Sequence, residues 1–418
     1  MPKPPSISEL PPPPPGKTGW PWDEAPTRLP DTMPDGTPWL QISVVTPSYN
    51  QAQFLEETIR SVLLQGYPAL EYILIDGGST DGSLDLIQKY APWLDYWVSE
   101  ADRGQSHAIN KGFQRASGEI LAWLNSDDIY LPNALAQLAL AAVEHPEVDL
   151  IYGDCDAIDR HGSFLFECEQ VKDYDQRWML EQGNIIAQPS AFFRREAYHA
   201  VGGVDEELHY VMDWDLWLRL GQRGRVVYLP KKLACMRIYP EAKSSAGDRL
   251  LFAELKRMLG KHGGEGLTAY FETKLAWDHL PKAFEAFRQG DLAVGREEIA
   301  YILENAPDWR SQPRKLAREI ADQAWKLAQT SQSNGESAFS FARQVCNSLP
   351  ENASPERVYR LAQSILHAAL AFQHHNQNHA ALARRHALQA FFNDITRISN
   401  RGLLAVVVKS FLPRGISR

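Results

Sequence analysis

Two aspartates stand side by side in the run NSDD (125–128), directly after the apolar segment EILAW. Adjacent carboxylates repel each other unless a cation or a hydrogen-bond network holds them, so the pair points to a divalent ion, and hard oxygen ligands favour Mg²⁺ or Mn²⁺. One carboxylate is enough when substrate phosphates complete the shell. The alternative is a helix start before LPNAL with Asp128 near the cap. A second cluster, DGGSTDG (76–82), puts Asp76 at the end of the apolar run EYILI, followed by two glycines that let the backbone turn sharply and approach a flat ligand. Asp76 could accept an N–H of a uracil or thymine ring, with Asp81 as a second acceptor; equally, the run could be a Gly-rich turn with Ser79 or Asp81 capping a helix. A third cluster, MDWDLWLRL (212–220), places Asp213 and Asp215 at the opening of an amphipathic helix, where the helix dipole alone favours acidic residues.

The elements that position these residues are legible. From Gln41 to about Tyr239, short β-rich runs alternate with helical stretches, as in parallel βαβ units. The runs are ISVVT (42–46), EYILID (71–76), YWVS (96–99), EILAWLN (119–125) and DLIYGD (149–154), with helices predicted over 51–65, 82–90, 105–117 and 131–145. This pattern predicts an open, doubly wound α/β sheet. Such sheets bind ligands outside the carboxyl ends of their strands, where TPSYNQ (46–51), DGGSTDG and NSDD all fall.

The whole chain sets further bounds. Its 418 residues exceed what one core usually organises. Residues 1–38 hold 13 of the 27 prolines and are expected to be extended, with Trp20, Trp22 and Trp39 as pins. Residues 39–245 form the expected α/β domain, and 246–418 the expected helical region, in which a single helical-hairpin segment, AFRQGDLAVGREEIAYILENAP, lacks a second copy. A net charge of -9 excludes nucleic acid as the main partner. Cys155, Cys168, Cys235 and Cys346 stand far apart without a C-x-x-C pair, which fits neither a disulfide framework nor a zinc site and predicts a reducing, cytoplasmic setting. No secretory h-region and no run long enough to span a membrane is present. The tail histidines 367, 374, 375, 379 and 386 are read as a polar helix face or loop. In the C-terminal GLLAVVVKSFLPRGISR an apolar run joins Arg401, Lys409, Arg414 and Arg418; it either packs within the helical region or touches an anionic membrane face peripherally, where a lipid-linked acceptor could wait.

Taken in order, ISVVTPSYNQ, ILIDGGSTDGS, SEADRGQSHAINKGFQRASGEILAWLNSDDIYLP, QPSAFFRREAY, GGVDEEL and MDWDLWLRL resemble the successive motifs of family 2 glycosyltransferases with the Rossmann-like A-type fold, over roughly residues 41–240. The resemblance implies an inverting transfer of a sugar from a UDP-, dTDP- or GDP-linked donor to a carbohydrate or lipid-linked hydroxyl, in polysaccharide or glycoconjugate biosynthesis. It also implies Asp76, Pro47 and Tyr49 at the nucleotide, Arg103 at the diphosphate or in a surface salt bridge, Asp127 as metal ligand and Asp213 as catalytic base. Three positions depart from the family pattern: Asn125 replaces the first aspartate of the D-x-D motif, Met212 precedes the base where many relatives carry Glu, and RIYPEAKSS (237–245) has no histidine. Two other readings compete. A nucleotidyltransferase would need a Gly-rich triphosphate loop with an early Arg or Lys, which TPSYNQ does not offer. A non-catalytic sugar-nucleotide scaffold, with the helical region as a platform, would bind the donor without turnover.

Overall fold

The structure, a computed structural model, describes residues 4–168, 173–243, 248–330 and 336–411. It divides into two compact units, Met1–Leu267 and Thr268–Arg418.

The first unit is built on one nine-stranded sheet of order β3-β2-β1-β4-β8-β6-β9-β5, with β7 alongside β6. The strands are β1 (Ile42–Ser48), β2 (Leu70–Asp76), β3 (Tyr96–Ser99), β4 (Ile120–Trp123), β5 (Ile129–Tyr130), β6 (Val148–Ile158), β7 (Phe164–Cys168), β8 (Ala191–Arg194) and β9 (Arg225–Arg237). Strands β3, β2, β1 and β4 are mutually parallel; β8 runs antiparallel to both β4 and β6, and β9 runs parallel to β6. Helices α1 (Ala52–Leu63), α2 (Ser83–Tyr90), α3 (Gln105–Arg115) and α4 (Ala134–Glu144) follow the first strands at or near the predicted positions. Further along come α5 (Gln176–Gln182), α6 (Arg195–Ala200), α7 (Met212–Arg223) and α8 (Asp248–Lys261).

Both sheet faces are covered, which is why β1 is buried along its whole length. Ile42 and Val44 face a core shared with Leu55, Ile59 and Val62 of α1 and Leu135 and Leu138 of α4. On the opposite face Val45 meets α3 so closely that a Cβ at Gly112 would lie 2.5 Å from the Val45 Cγ1. Beyond it Phe113, Trp123, Phe193 and Trp217 form an aromatic layer, with Trp123 stacked on Trp217 at 5.5 Å.

The four strands not predicted, β5, β7, β8 and β9, lack the pattern of a buried parallel strand. β5 has two residues, and β9 is interrupted by Pro230, Lys231 and Lys232 opposite register shifts in β6. They are strands because the sheet supplies hydrogen-bond partners, which local sequence does not reveal.

The proline-rich head, expected as an extended segment with tryptophan pins, contributes more than those pins to the first unit. Leu10, Trp22, Met33 and Trp39 are buried. Arg60 of α1, fully buried, donates from its guanidinium to the carbonyls of Pro11 (2.8 Å), Pro21 (3.0 Å) and Trp22 (2.8 Å), and the Trp20 indole donates to the Tyr130 carbonyl at 2.8 Å. A buried cation needs such acceptors, and here the head of the chain provides them.

The second unit is helical throughout its described residues: α9 (Thr268–Gln289), α10 (Leu292–Asn305), α11 (Pro307–Ser311), α12 (Pro313–Thr330), α13 (Glu336–Asn347), α14 (Pro355–Asn376), α15 (Ala380–Asn393) and α16 (Arg401–Lys409). The C-terminal apolar run packs inside this unit through Leu403 and Val406, against Ala371, Ala383 and Ala387, while Val408 and Phe411 are exposed. Arg414 and Arg418 lie outside the described residues. His367 and His374 on α14 and His386 on α15 form a row of ring contacts. Among the described residues, no three His, Cys, Asp or Glu side chains are grouped to hold a metal by themselves, and no helix is long and apolar enough to cross a membrane.

Candidate active site

The loops after β1, β2 and β4 meet at the carboxyl edge of the sheet and are laced together. The Asn50 N–H donates to the Ser79 hydroxyl (2.7 Å), the Thr80 N–H donates to the Asn50 side chain (2.9 Å), and the Gly77 N–H donates to the Ser48 carbonyl (2.8 Å). Asp81 accepts from the backbone N–H groups of Ala52 (2.9 Å) and Ser83 (3.0 Å), at the starts of α1 and α2, so it serves the helix-capping alternative. Asp76 is fully buried and accepts from the N–H groups of Gly78 and Ser79 and the hydroxyls of Ser79 and Ser99, at 2.5–3.1 Å. Its carboxylate folds the DGGS turn, which Gly78 completes at φ +84°. Pro47 is buried at the end of β1, and Tyr49, just after it, is 63% exposed.

The NSDD loop separates its two aspartates. Asp128 is 3% exposed and accepts from the Arg237 N–H (2.9 Å) and the Asn125 amide (3.2 Å). Burial, and then the charge of Asp127, push its carboxyl well above the usual range. Asp127 is only partly buried and accepts a hydrogen bond from the Tyr239 hydroxyl at 2.8 Å. Burial raises its pKa as well, against the Tyr239 hydrogen bond and the Arg237 charge. Arg237, buried on β9, holds the loop in place by donating to the Asp127 carbonyl (2.8 Å) and pairing with Glu57 (3.1 Å).

The opening of α7 separates its two aspartates in the same way. Asp215 has no exposed surface, is ion-paired with Arg219 at 2.7 Å, and accepts from His262 at 3.0 Å. Burial opposes its charge, but His262 and Arg219 outweigh that and hold its carboxyl below the usual range. Asp213 is partly buried and accepts from the Asn184 amide (2.9 Å) and the Trp214 N–H (2.8 Å). Burial pushes its pKa up to about 6, against those hydrogen bonds and the charge of Lys243.

A polar relay runs between the two regions. The Lys243 ammonium donates to Gln105 Oε1 (2.7 Å), Gln105 donates to Asn125 Oδ1 (2.7 Å), and Asn125 donates to Asp128 and to Gln188 Oε1 (3.0 Å). Burial lowers the Lys243 pKa, while Asp213 and Glu254 favour its charge. Gln105, Gln188, Tyr239 and Lys243 were not singled out from sequence, although each lies inside a segment compared with the family pattern; Asn184 lies outside them. Arg103 forms a surface ion pair with Glu206 at 2.6 Å, with its side chain 69% exposed.

Chemically, this arrangement offers an exposed aromatic ring, one partly open carboxylate suited to a cation, a lysine between the clusters, and a second open carboxylate of raised basicity. The sequence profile described as Glycosyl transferase family 2 matches residues 43–202. An uncharacterized glycosyltransferase from Nostoc sp. is 29% identical over 241 residues, covering 50% of this chain and 72% of that protein. The PGL/p-HBAD biosynthesis glycosyltransferase of Mycobacterium tuberculosis is 32% identical over 181 residues, covering 42% of this chain and 68% of that protein. Among solved structures, TarS 1–349 of S. aureus in complex with UDP-GlcNAc aligns with a TM-score of 0.44 at 17% identity, covering 84% of this chain and 91% of that one. The mannosyltransferase PcManGT of Pyrobaculum calidifontis, in complex with GDP-Man and Mn²⁺, aligns at 0.43 and 20% identity, covering 66% and 78%. With the family profile matched, the mycobacterial relative 32% identical over two thirds of its length, and a mostly parallel sheet that gathers the motifs on one edge, the chain is a glycosyltransferase that belongs to glycosyl transferase family 2 and carries its A-type fold.

Proposed function

We propose that the chain transfers a sugar from a nucleoside diphosphate sugar to an acceptor hydroxyl with inversion, Asp213 acting as general base and Asp127 holding Mg²⁺ or Mn²⁺ at the donor diphosphate. The observation that carries this reading is the division of labour among the acidic residues. Asp76, Asp128 and Asp215 are buried and saturated by hydrogen bonds or an ion pair, while Asp127 and Asp213 remain partly exposed.

A carboxylate with a pKa near 6 is unprotonated at neutral pH and basic enough to take a proton from a hydroxyl as that oxygen attacks the anomeric carbon. Asn184 fixes one of its oxygens, leaving its direction set by the α7 opening. On the leaving-group side Asp127 fits a divalent ion: it is a partly exposed carboxylate whose burial favours binding a positive species, and the donor's own phosphates would supply the remaining ligands. When bound, such an ion neutralises charge on the departing diphosphate. Lys243, linked through Gln105 to Asn125, brings a positive charge of the chain's own toward the donor phosphates. Exposed Tyr49, carried on the loop after buried Pro47, receives the base beside the turn that Asp76 folds.

Calorimetry with UDP-, GDP- and dTDP-sugars, in Mn²⁺ and in EDTA, followed by product analysis with a hydroxyl acceptor, tests this reading. One donor is expected to bind far more tightly with metal than in EDTA and to turn over with inverted anomeric configuration. Equal affinity in EDTA would remove Asp127 as a ligand, and binding without turnover would remove the catalytic assignment.

A further inference from the structure

Three of the four cysteines, far apart in sequence, come together on adjacent strands. Cys155 of β6 lies directly opposite Cys168 of β7 in the antiparallel ladder, and Cys235 of β9 lies opposite Asp156. Residues opposite one another share a face of the sheet, and neighbours along a strand alternate. Cys155 and Cys168 therefore share one face and Cys235 takes the other, and the packing agrees: the first two belong to the main apolar core, Cys235 to a small cluster with Ile129 and Ile158. Directly opposed residues in an antiparallel pair have Cα atoms about 4.5–5.5 Å apart, inside the roughly 4.4–6.8 Å that a disulfide spans.

The two thiols differ in setting. Cys155 is buried, whereas Cys168 is partly exposed near the end of an edge strand that pairs only with β6 among the described residues. The paired Cys155 holds the Cys168 thiol below its usual pKa range, and the pairing, with burial, raises Cys155, whose thiol donates to the Asp156 carbonyl at 3.5 Å.

We propose that Cys168 and Cys155 form a peroxide-reactive dithiol site, Cys168 as the attacking and Cys155 as the resolving thiol, closing a cross-strand disulfide between β7 and β6. The Cys168 thiolate attacks one peroxide oxygen, the O–O bond breaks, and Cys168 becomes a sulfenic acid while the released hydroxide takes up the thiol proton as water. The Cys155 sulfur then attacks the Cys168 sulfur, the S–O bond breaks, and the hydroxyl leaves with the Cys155 proton as a second water. Two thiols lose two electrons, and one peroxide is reduced to two waters. The product staples the edge strand to the sheet, beside the strand end from which Arg237 and Tyr239 hold the NSDD loop.

The test is intact and peptide mass spectrometry of the full chain treated with hydrogen peroxide. The expected result is a loss of two hydrogen masses, mapped to a Cys155–Cys168 peptide pair, reversed by dithiothreitol, and retained in Cys235→Ser. In Cys155→Ser, dimedone should trap a sulfenic acid at Cys168. An unchanged mass, a crosslink to Cys235, to Cys346 or between two copies, or irreversible oxidation of Cys168 in the native chain overturns the proposal.

Discussion

Asp213 and Asp215 stand two residues apart on one helix, yet their environments give opposite predictions. Asp213 titrates near 6 in the folded protein against 3.8 for the free side chain, so the folded state binds the extra proton and this group's charge lowers stability as pH rises through that window. Asp213→Asn is therefore expected to raise the melting temperature by about 2–4 °C at neutral pH, while transfer falls by about 10²- to 10⁴-fold with donor affinity nearly unchanged. The wild-type rate should show an acidic limb near pH 6. Asp215 is held below its usual range, so its contribution is present above the unfolded pKa and lost as pH falls through the lower folded value. Asp215→Asn should cost about 3–5 kcal/mol, because Arg219 and His262 would face an unpaired buried site. Thermal melts and rates of both variants decide the matter. An active Asp213→Asn protein beside an inactive but folded Asp215→Asn protein would reverse the roles.

On the donor side, Asp127→Asn should weaken metal-dependent donor binding together with turnover. Lys243→Met should weaken donor binding in metal and in EDTA alike, because it removes a charge that belongs to the chain. Titration of the donor with and without Mn²⁺ separates the two effects; identical losses for both variants under both conditions would contradict separate roles.

At the scale of elements, the packing of α3 on β1 sets where Gln105 begins the polar relay. Gly112 gives α3 its close approach, and a methyl there would lie 2.5 Å from Val45. Gly112→Ala should destabilise the protein by about 1–3 kcal/mol through overpacking. Val45→Ala in the same chain should recover part of that loss, since the two residues are in contact and their effects are not additive. Chemical denaturation of the four proteins of this cycle checks it. Full additivity would mean that the helix relaxes away from the strand.

At the scale of the whole molecule, the proline-rich head belongs to the first unit. Removing residues 1–38 strips Arg60 of three carbonyl acceptors and uncovers a hydrophobic surface that Leu10, Trp22 and Met33 occupy. The truncated protein should therefore melt lower or aggregate. Restoration of solubility by Arg60→Met in the truncated chain would tie the defect to the buried cation. A truncated chain as stable as the full one would show that the carbonyls are replaceable by water.

The sequence alone determined the sheet's parallel half, four helices and the three polar loops past strand ends, because apolar periodicity and Gly-rich turns are local signals. It also supplied the family, because motifs in fixed order survive where overall identity does not. Tertiary structure decided what local signals cannot carry. Which aspartate of each pair is open depends on Arg237 and His262, remote in sequence from the aspartates they hold, and on Arg219 one turn along the same helix. Strands β5, β7, β8 and β9 exist because partners in the sheet satisfy their backbone groups. The head reads from sequence only as an extended segment because prolines do not form helices or ladders, but their free carbonyls are acceptors, and only the folded chain showed that a buried arginine uses them.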